Sequence, residues 1–344
     1  MMHLVASTRS RSLSAVLLCL GVGGSIVAPG IASPSLAAGW RTFLHVRAVV
    51  DLTRPRTDGS LTVATDGVLS TLHVARQPTP FARGQDGYTT QQGPEPYIAL
   101  GAGETPEGTG CSFPVDDVYA LEPSDAPGVI EVDAQGHARR LADLEHGAMP
   151  NGIAFDDVGR FGHRLLVTAA LQGGTALFAI DCAGGVTTIT RQAPRLEGGI
   201  EVAPRSFGRY GGDLIAPDEH SGRVFAVGPG GAVRTVARSG LPHGQDIGVE
   251  SAGFVPPEFG RAWSAYLADR RSPGNPHPGT DSILRLSGER LVRARVRAGD
   301  LLIASEGGAK TIAVRCDRRC SVRHIADGPT PAHAEGHIVF ANGP

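Results

Sequence analysis

Lysine is almost missing from this chain: Lys310 stands alone among 344 residues, and arginine supplies the other basic side chains. The arginines are spread evenly, no basic tract forms, and the formal net charge is −2. Nucleic acid and anionic membrane surfaces are therefore excluded as partners. Aromatic residues are also scarce, at 5%. No stretch after Gly59 holds a 3.6-residue apolar period, which excludes a helical protein. Low-complexity blocks are absent as well. The 47 glycines and 25 prolines fall singly between short apolar runs, as tight turns require, and argue against disorder.

The one long apolar region lies at the N-terminus. Arg9 and Arg11 precede "LSAVLLCLGVGGSIVAPGIA", and small residues follow at Ser35 and Ala37. A positive segment, an apolar segment and small residues make a secretory signal peptide over 1–38, cut near Ala37 or Ala38. The alternative is a membrane anchor, but glycine and proline inside the run suit a permanent span poorly. Cys19 follows Leu18 rather than a small residue, which argues against a lipoprotein. The expected product is an exported monomer of one domain over 39–344, with no membrane attachment after cleavage.

That leaves Cys111, Cys182, Cys316 and Cys320, an even number in an exported chain, which favours disulfides. Cys316 and Cys320 flank "DRR" and suit the end of a hairpin, leaving Cys111 with Cys182. Zinc is the alternative, on a weak ligand pattern.

What fills the sequence is strands. "SLTVAT", "RLLVTAA", "DLIAPDE", "RVFAVG", "LLIASE" and "HIVFA" are short, rich in apolar residues and bounded by turn formers, which predicts an all-β protein. They also repeat. A Phe-Gly pair recurs at Phe161, Phe207 and Phe259, and "GDLLIASEGGAKTIAV" from Gly299 echoes "GDLIAPDEHSGRVFAV" from Gly212. Units of about 40–55 residues predict a β-propeller. Second strands near Leu61, Val118, Leu165, Leu214, Tyr266 and Leu301 give six blades, with a five-bladed or irregular closure as the alternative. The segment from Ala252 reads as an innermost strand leading into the Tyr266 unit, and the Leu301 unit has no obvious innermost strand of its own. The C-terminal "EGHIVFANGP" reads as an innermost strand that shares a blade with N-terminal strands, closing the ring.

Residues just ahead of innermost strands converge on a propeller's channel. Here they are Glu95, Asn151, Glu197, Glu250 and Glu335. Each alone is ordinary turn chemistry; five at one repeat position favour a site, because turns prefer Asn, Asp and Gly over Glu. Four carboxylates and an amide around one axis repel one another, and Ca²⁺ or another divalent cation answers that repulsion. Neighbouring loops add Asp218, Glu219, His220, His243, Asp246, Asp269, Arg270, Arg271, His277 and Glu306. His220, His243 and His277 are candidate acids or bases, against the alternative of solvated loop residues. Asp133 and Asp181 read as hairpin-turn residues, and "GAGETPEGTG" precedes no helix and so cradles no phosphate.

"PNGIAFD" (150–156) resembles a segment of the calcium-dependent six-bladed propellers of the gluconolactonase and regucalcin group. That resemblance implies a metal ligand at Asn151, further ligands at Glu95, Glu197, Glu250 and Glu335, and a catalytic base at Glu250. It also implies hydrolysis of a lactone or related ester. "FGRYGGDL" is similar to segments of exported NHL-like bacterial propellers, a likeness of fold. The chain departs from the first group in lacking an N-terminal Glu-Gly-Pro and in its richness in glutamate. A non-catalytic propeller that binds a ligand or a protein is the alternative from another class. A quinoprotein sugar dehydrogenase is a third reading, which the scarcity of aromatics leaves with little support.

Overall fold

The computed structural model describes residues 39–73, 76–83, 96–244 and 246–342. The signal segment and Glu95 lie outside the described residues. Strand β1 (Arg41–His45) comes first. Four four-stranded antiparallel sheets follow in chain order. The first holds β2 (Val49–Leu52), β3 (Leu61–Thr65), β4 (Val68–Leu72) and β5 (Thr79–Arg83). The second holds β6 (Ile98–Leu100), β7 (Val118–Glu122), β8 (Gly128–Val132) and β9 (Ala138–Asp143). The third holds β10 (Met149–Phe155), β11 (Leu165–Leu171), β12 (Gly174–Ile180) and β13 (Val186–Ala193). The fourth holds β14 (Glu201–Val202), β15 (Leu214–Asp218), β16 (Arg223–Val227) and β17 (Val233–Arg238).

Burial falls from the inner strands outward. Strands β7 and β15 are buried throughout, whereas β13 exposes most of its residues and β17 half. The inner strands are therefore covered by the neighbouring sheet on each face, which is why they read as continuous apolar runs rather than alternating ones. Two of the outer hairpin turns share one design. The carboxylates of Asp133 and Asp181 accept the turn N–H groups of Gln135 and His137, and of Ala183 and Gly185.

The remaining strands depart from this order. They are β18 (Val249–Phe254), β19 (Trp263–Asp269), β20 (Ser282–Ser287), the short helix α1 (Gly288–Arg293), β21 (Leu301–Ser305), β22 (Thr311–Cys316), β23 (Cys320–Ala326) and β24 (Ala334–Asn342). Together with β1 they form one eight-stranded sheet made of two four-stranded halves. In one half β18 leads β21, β22 and β23; in the other β24 leads β19, β20 and β1. A single parallel bridge between Ala252 and His337 joins the halves.

The segment from Ala252 thus does not lead into the Tyr266 unit, and it supplies the innermost strand that the Leu301 unit lacks. The local cause is visible in the hydrogen bonds. Val255 donates to the Asp300 carbonyl and Gly299 to that of Val255, as Ala203 donates to Asp213 and Gly212 to Ala203 in the fourth sheet. The Gly-Asp step at 299–300 therefore does what the Gly-Asp step at 212–213 does. The Asp300 carboxylate is held by two bonds of 2.6 Å from Arg315. Residues 256–298 are in effect an insertion carrying β19, β20 and α1. The first and last described strands, β1 and β24, both lie in the last half, with β19 and β20 between them. An apolar cluster of Val49, Leu52 and Leu61 with Tyr266, Ile283 and Val339 seals that half against the first sheet. The arrangement is that of a β-propeller with an irregular closure. Both expected disulfides are present, with Cα–Cα separations of 5.9 Å for Cys111–Cys182 and 4.0 Å for Cys316–Cys320.

One ion pair crosses the channel. The Asp51 carboxylate accepts from the backbone N–H of Leu52, Ile98 and His337, and lies 2.9 Å from Nδ1 of the His337 ring. On the far side of that ring, Nε2 reaches the Ile153 carbonyl at 3.1 Å. Both ring nitrogens face acceptors, so the imidazole is held as a cation. Burial alone would lower its pKa, but the Asp51 carboxylate and its hydrogen bond outweigh that and raise it to about 9. Gly336, at φ +64°, lets the carboxylate in, since a Cβ there would meet Asp51 Oδ1 at 2.2 Å.

Two outcomes follow from these contacts. The folded state binds the His337 proton more tightly than the ordinary 6.5 of a free imidazole, up to about 9. Its contribution is therefore complete below the lower value and lost as pH rises through the upper one. Denaturant unfolding across that range is expected to show a fall in stability that His337→Gln flattens, and Asp51→Asn is expected to cost about 3–5 kcal/mol at neutral pH. Gly253 lies where the two halves touch, and a Cβ would come 1.8 Å from the Ile338 carbonyl oxygen. Gly253→Ala is expected to cost upwards of about 3 kcal/mol by the same measurement.

Candidate metal centre at the channel mouth

The innermost strands begin with a repeated irregularity. In the β10–β11 pairing, Pro150 opposes Ala169 and Gly152 opposes Thr168, leaving Asn151 as an extra residue. In the β18–β21 pairing, Val249 opposes Ser305 and Ser251 opposes Ala304, leaving Glu250 as the extra one. A bulge re-aims the side chain of the residue it inserts. At Asn151 and Glu250 the polar residue ahead of the strand is thus a bulge position. Backbone bonds tie these positions together: Gly198 donates to the Asn151 carbonyl and Gly199 to that of Glu250.

The bulges and adjoining loops bring together a buried acidic group. Glu250 is 3% exposed and Glu335 1%, and Tyr97 Oη lies 2.6 Å from a carboxylate oxygen of each. A phenol has one hydrogen, so it satisfies one carboxylate at a time, and the second contact needs a shared proton or a cation. Glu306 and His333, also buried, complete the group. His333 Nε2 lies 3.1 Å from Glu335 Oε1 and 3.4 Å from Glu306 Oε1. These three residues offer ligand atoms all within 4.8 Å of one another.

The charges are not alike. Burial works to raise the pKa of Glu335, but His333, Arg270 and Tyr97 outweigh it and hold that carboxyl below the usual range. Burial, then the charge of Glu335, push Glu306 far above it, so Glu306 keeps its proton at neutral pH. Glu219 is raised by burial and by Glu197. Glu197 is paired with Arg195 at 2.6 Å, and the same guanidinium reaches Glu219 at 3.6 Å. Several buried polar atoms have no hydrogen-bond partner, among them Asn151 Oδ1, Glu306 Oε2 and His333 Nδ1.

Positioning comes from Asp269, which is fully buried. Its carboxylate accepts from the His333 N–H at 2.8 Å and from the hydroxyls of Thr280 and Ser282. The Arg270 N–H donates to the His333 carbonyl, which fixes both loops against each other.

Of the residues singled out in the sequence, the structure brings Glu250 and Glu335 onto one phenol, and sets Glu306 and Arg270 beside Glu335. Glu197 stands one arginine away from Glu219. Asn151 is buried beside the Gly198 turn, and Glu95 lies outside the described residues. His220 and His243 are exposed, the latter resting on Gly222. His277 is half-buried, with Nδ1 2.6 Å from the Thr330 carbonyl and its ring against Gly307. Sequence reasoning missed His333 and Tyr97. The available signal for Tyr97 was its place two residues after Glu95; for His333 it was the spacing in "HAEGH" (333–337).

No protein-family model matches this sequence, and no curated protein matches it. Among solved structures, a chain of the nidogen/laminin complex is similar at a TM-score of 0.52, with 14% identity over 88% of each chain. The calcium-binding protein regucalcin from Agrobacterium tumefaciens gives 0.49 and 15% identity, over 88% of this chain and 81% of that one. A streptogramin B lyase gives 0.45 and 12%, over 85% and 74%. At these identities the likeness is one of fold.

Tyr97→Phe removes the donor between two carboxylates. It is expected to lower the stability of metal-free protein by about 1–3 kcal/mol in denaturant titration.

Proposed function

We propose that this chain is an exported, six-bladed propeller hydrolase that cleaves a lactone or related ester at the channel mouth, using a divalent cation. The eight-stranded sheet counts as two blades in this reading. The observation that carries it is the buried Glu306, His333 and Glu335 set, with ligand atoms within 4.8 Å of one another. The residues fit a divalent cation on their chemistry. Two carboxylates and an imidazole surround one point, and Glu306 Oε2 is buried with no partner. Without a cation Glu306 must stay protonated to sit beside Glu335. The imidazole favours a borderline ion such as Zn²⁺ over Ca²⁺, which prefers oxygen alone. When bound, such an ion supplies Lewis acidity toward a carbonyl oxygen and a water of lowered pKa.

The chain's own residues do the rest. Glu250 is the base that takes a proton from the attacking water. Tyr97, whose hydroxyl lies against Glu250 and Glu335, holds that base in place, and the proton goes from Glu250 to the alkoxide released as the acyl C–O bond breaks. Arg195 and Arg270, each 26–46% exposed at the side chain, orient the carbonyl or carboxylate end of the substrate. His220, His243 and His277 flank this face and would meet only a substrate that extends over the rim. Export is supported by the two disulfides, which persist in oxidising compartments. Among the described residues no helix is long and apolar enough to cross a membrane.

Elemental analysis after incubation with Ca²⁺, Mn²⁺ and Zn²⁺, thermal unfolding with and without chelator, and a lactone and ester screen test this reading. The expected result is a bound cation, a chelator-sensitive melting temperature and chelator-sensitive turnover. Glu335→Gln should abolish the thermal shift, and Glu250→Gln should slow turnover by about 100-fold or more. A cation-dependent shift with no turnover would favour the ligand-binding scaffold; no shift at all would sink the metal centre.

A further inference from the structure

A cavity lies apart from the acidic mouth. It lies further along the innermost strands, beyond the Asp51–His337 pair, with a volume of about 310 Å³. That is the lower end of small-molecule sites, which run from about 300 to 1,000 Å³. Its walls are mainly aliphatic and aromatic, with Phe155, Phe254, Trp263 and Phe340 among them, and His337 also lines it.

The carboxylates around this cavity are not equally paired. Asp51 answers the His337 cation. Arg54, at the cavity wall, donates to Asp157 at 2.7 Å, to Glu104 at 2.8 Å and to the Leu100 carbonyl at 2.6 Å, so its cation is already met by two carboxylates. Glu201 is left. One of its oxygens accepts the Phe254 N–H at 2.8 Å, and among the described residues no basic side chain forms a salt bridge with it. Burial raises its pKa to about 7, and the charges of His337 and Arg54, each already engaged by another carboxylate, offset that only in part. Of the four carboxylates around these two cations, Asp51, Glu104 and Asp157 each have an ion pair, and Glu201, which has none among the described residues, lines an apolar space.

We propose that this cavity binds a small molecule with an aromatic or aliphatic body and one protonated amine, the ammonium pairing with Glu201 and the body packing among Phe254, Trp263 and Phe340. An anionic ligand has no open cation to meet, because both Arg54 and His337 are engaged. A neutral ligand fills the space but leaves Glu201 unmatched. This site stands apart from the cation centre at the mouth and does not rest on it.

The chain has two tryptophans; Trp40 is 3% exposed, bonded to Thr311 and no part of the cavity wall, whereas Trp263 lines the cavity. Fluorescence titration with phenethylamine, phenethyl alcohol and phenylacetate, in the presence of chelator, tests the proposal. Phenethylamine should give a saturable change, lost in Trp263→Phe, and bind at least about tenfold tighter than the alcohol, with phenylacetate weakest. Glu201→Gln keeps an acceptor for the Phe254 N–H and should abolish the preference for the amine while leaving alcohol binding unchanged, which also shows that the cavity has folded. Equal binding of amine and alcohol by the unaltered protein, a preference that survives Glu201→Gln, or no saturable binding of any of the three would overturn it.

Discussion

The Asp51–His337 pair is the contact on which the architecture turns. Its carboxylate comes from the first innermost strand and its imidazole from the last, while its other bonds run to the second and third. A propeller closed by sequence-distant strands must hold its first and last strands together at the axis, where side chains are crowded and water is excluded. Hydrophobic packing serves the outer gaps between sheets, as the Val49 and Tyr266 cluster does. At the axis it cannot specify register, because apolar contact is non-directional. A charged pair with its acceptors fixed in place can, and leaving either partner alone would strand a buried charge.

The same pair divides the channel chemically. On one side Glu335, two residues ahead of His337, belongs to the acidic mouth; on the other, His337 lines an apolar cavity. One strand, β24, therefore contributes to both ends and to the partition between them. Its closing role and its chemical role meet in one strand, at nine residues the longest among the described ones.

Much of this was legible in the sequence, and the limits are physical. The repeating strands, the second-strand positions and the disulfide pairing could be read because each depends on local pattern or on elimination among four cysteines. The echo between Gly212 and Gly299 was legible too, but its consequence was not. Spacing makes Ala252 look like the start of the Tyr266 unit. Only the hydrogen bonds of Val255 to Gly299 and Asp300 show that its partner lies beyond an insertion. Strand pairing across 40-odd residues leaves no periodic trace. Asn151, Glu250 and Glu335 stood out because each holds the same place ahead of an innermost strand, which at Asn151 and Glu250 is a bulge. His333, Tyr97, Asp51 and His337 did not, since each acts once, in a position the repeat does not share.

The acidic mouth carries the remaining strain in this arrangement. Burying Glu219, Glu250, Glu306 and Glu335 together is unfavourable unless protons or a cation offset the repulsion. Arg195 and Arg270 offset part of it from the rim, but each is engaged by a carboxylate, and neither matches the Glu306 oxygen left without a partner. An apolar replacement at these positions would be easier to bury, so stability alone does not account for them. The bulges and the Asp269 network hold the loops that carry them. A group held this rigidly cannot spread apart to relieve its repulsion, and that is the condition under which a small, highly charged ion is drawn in.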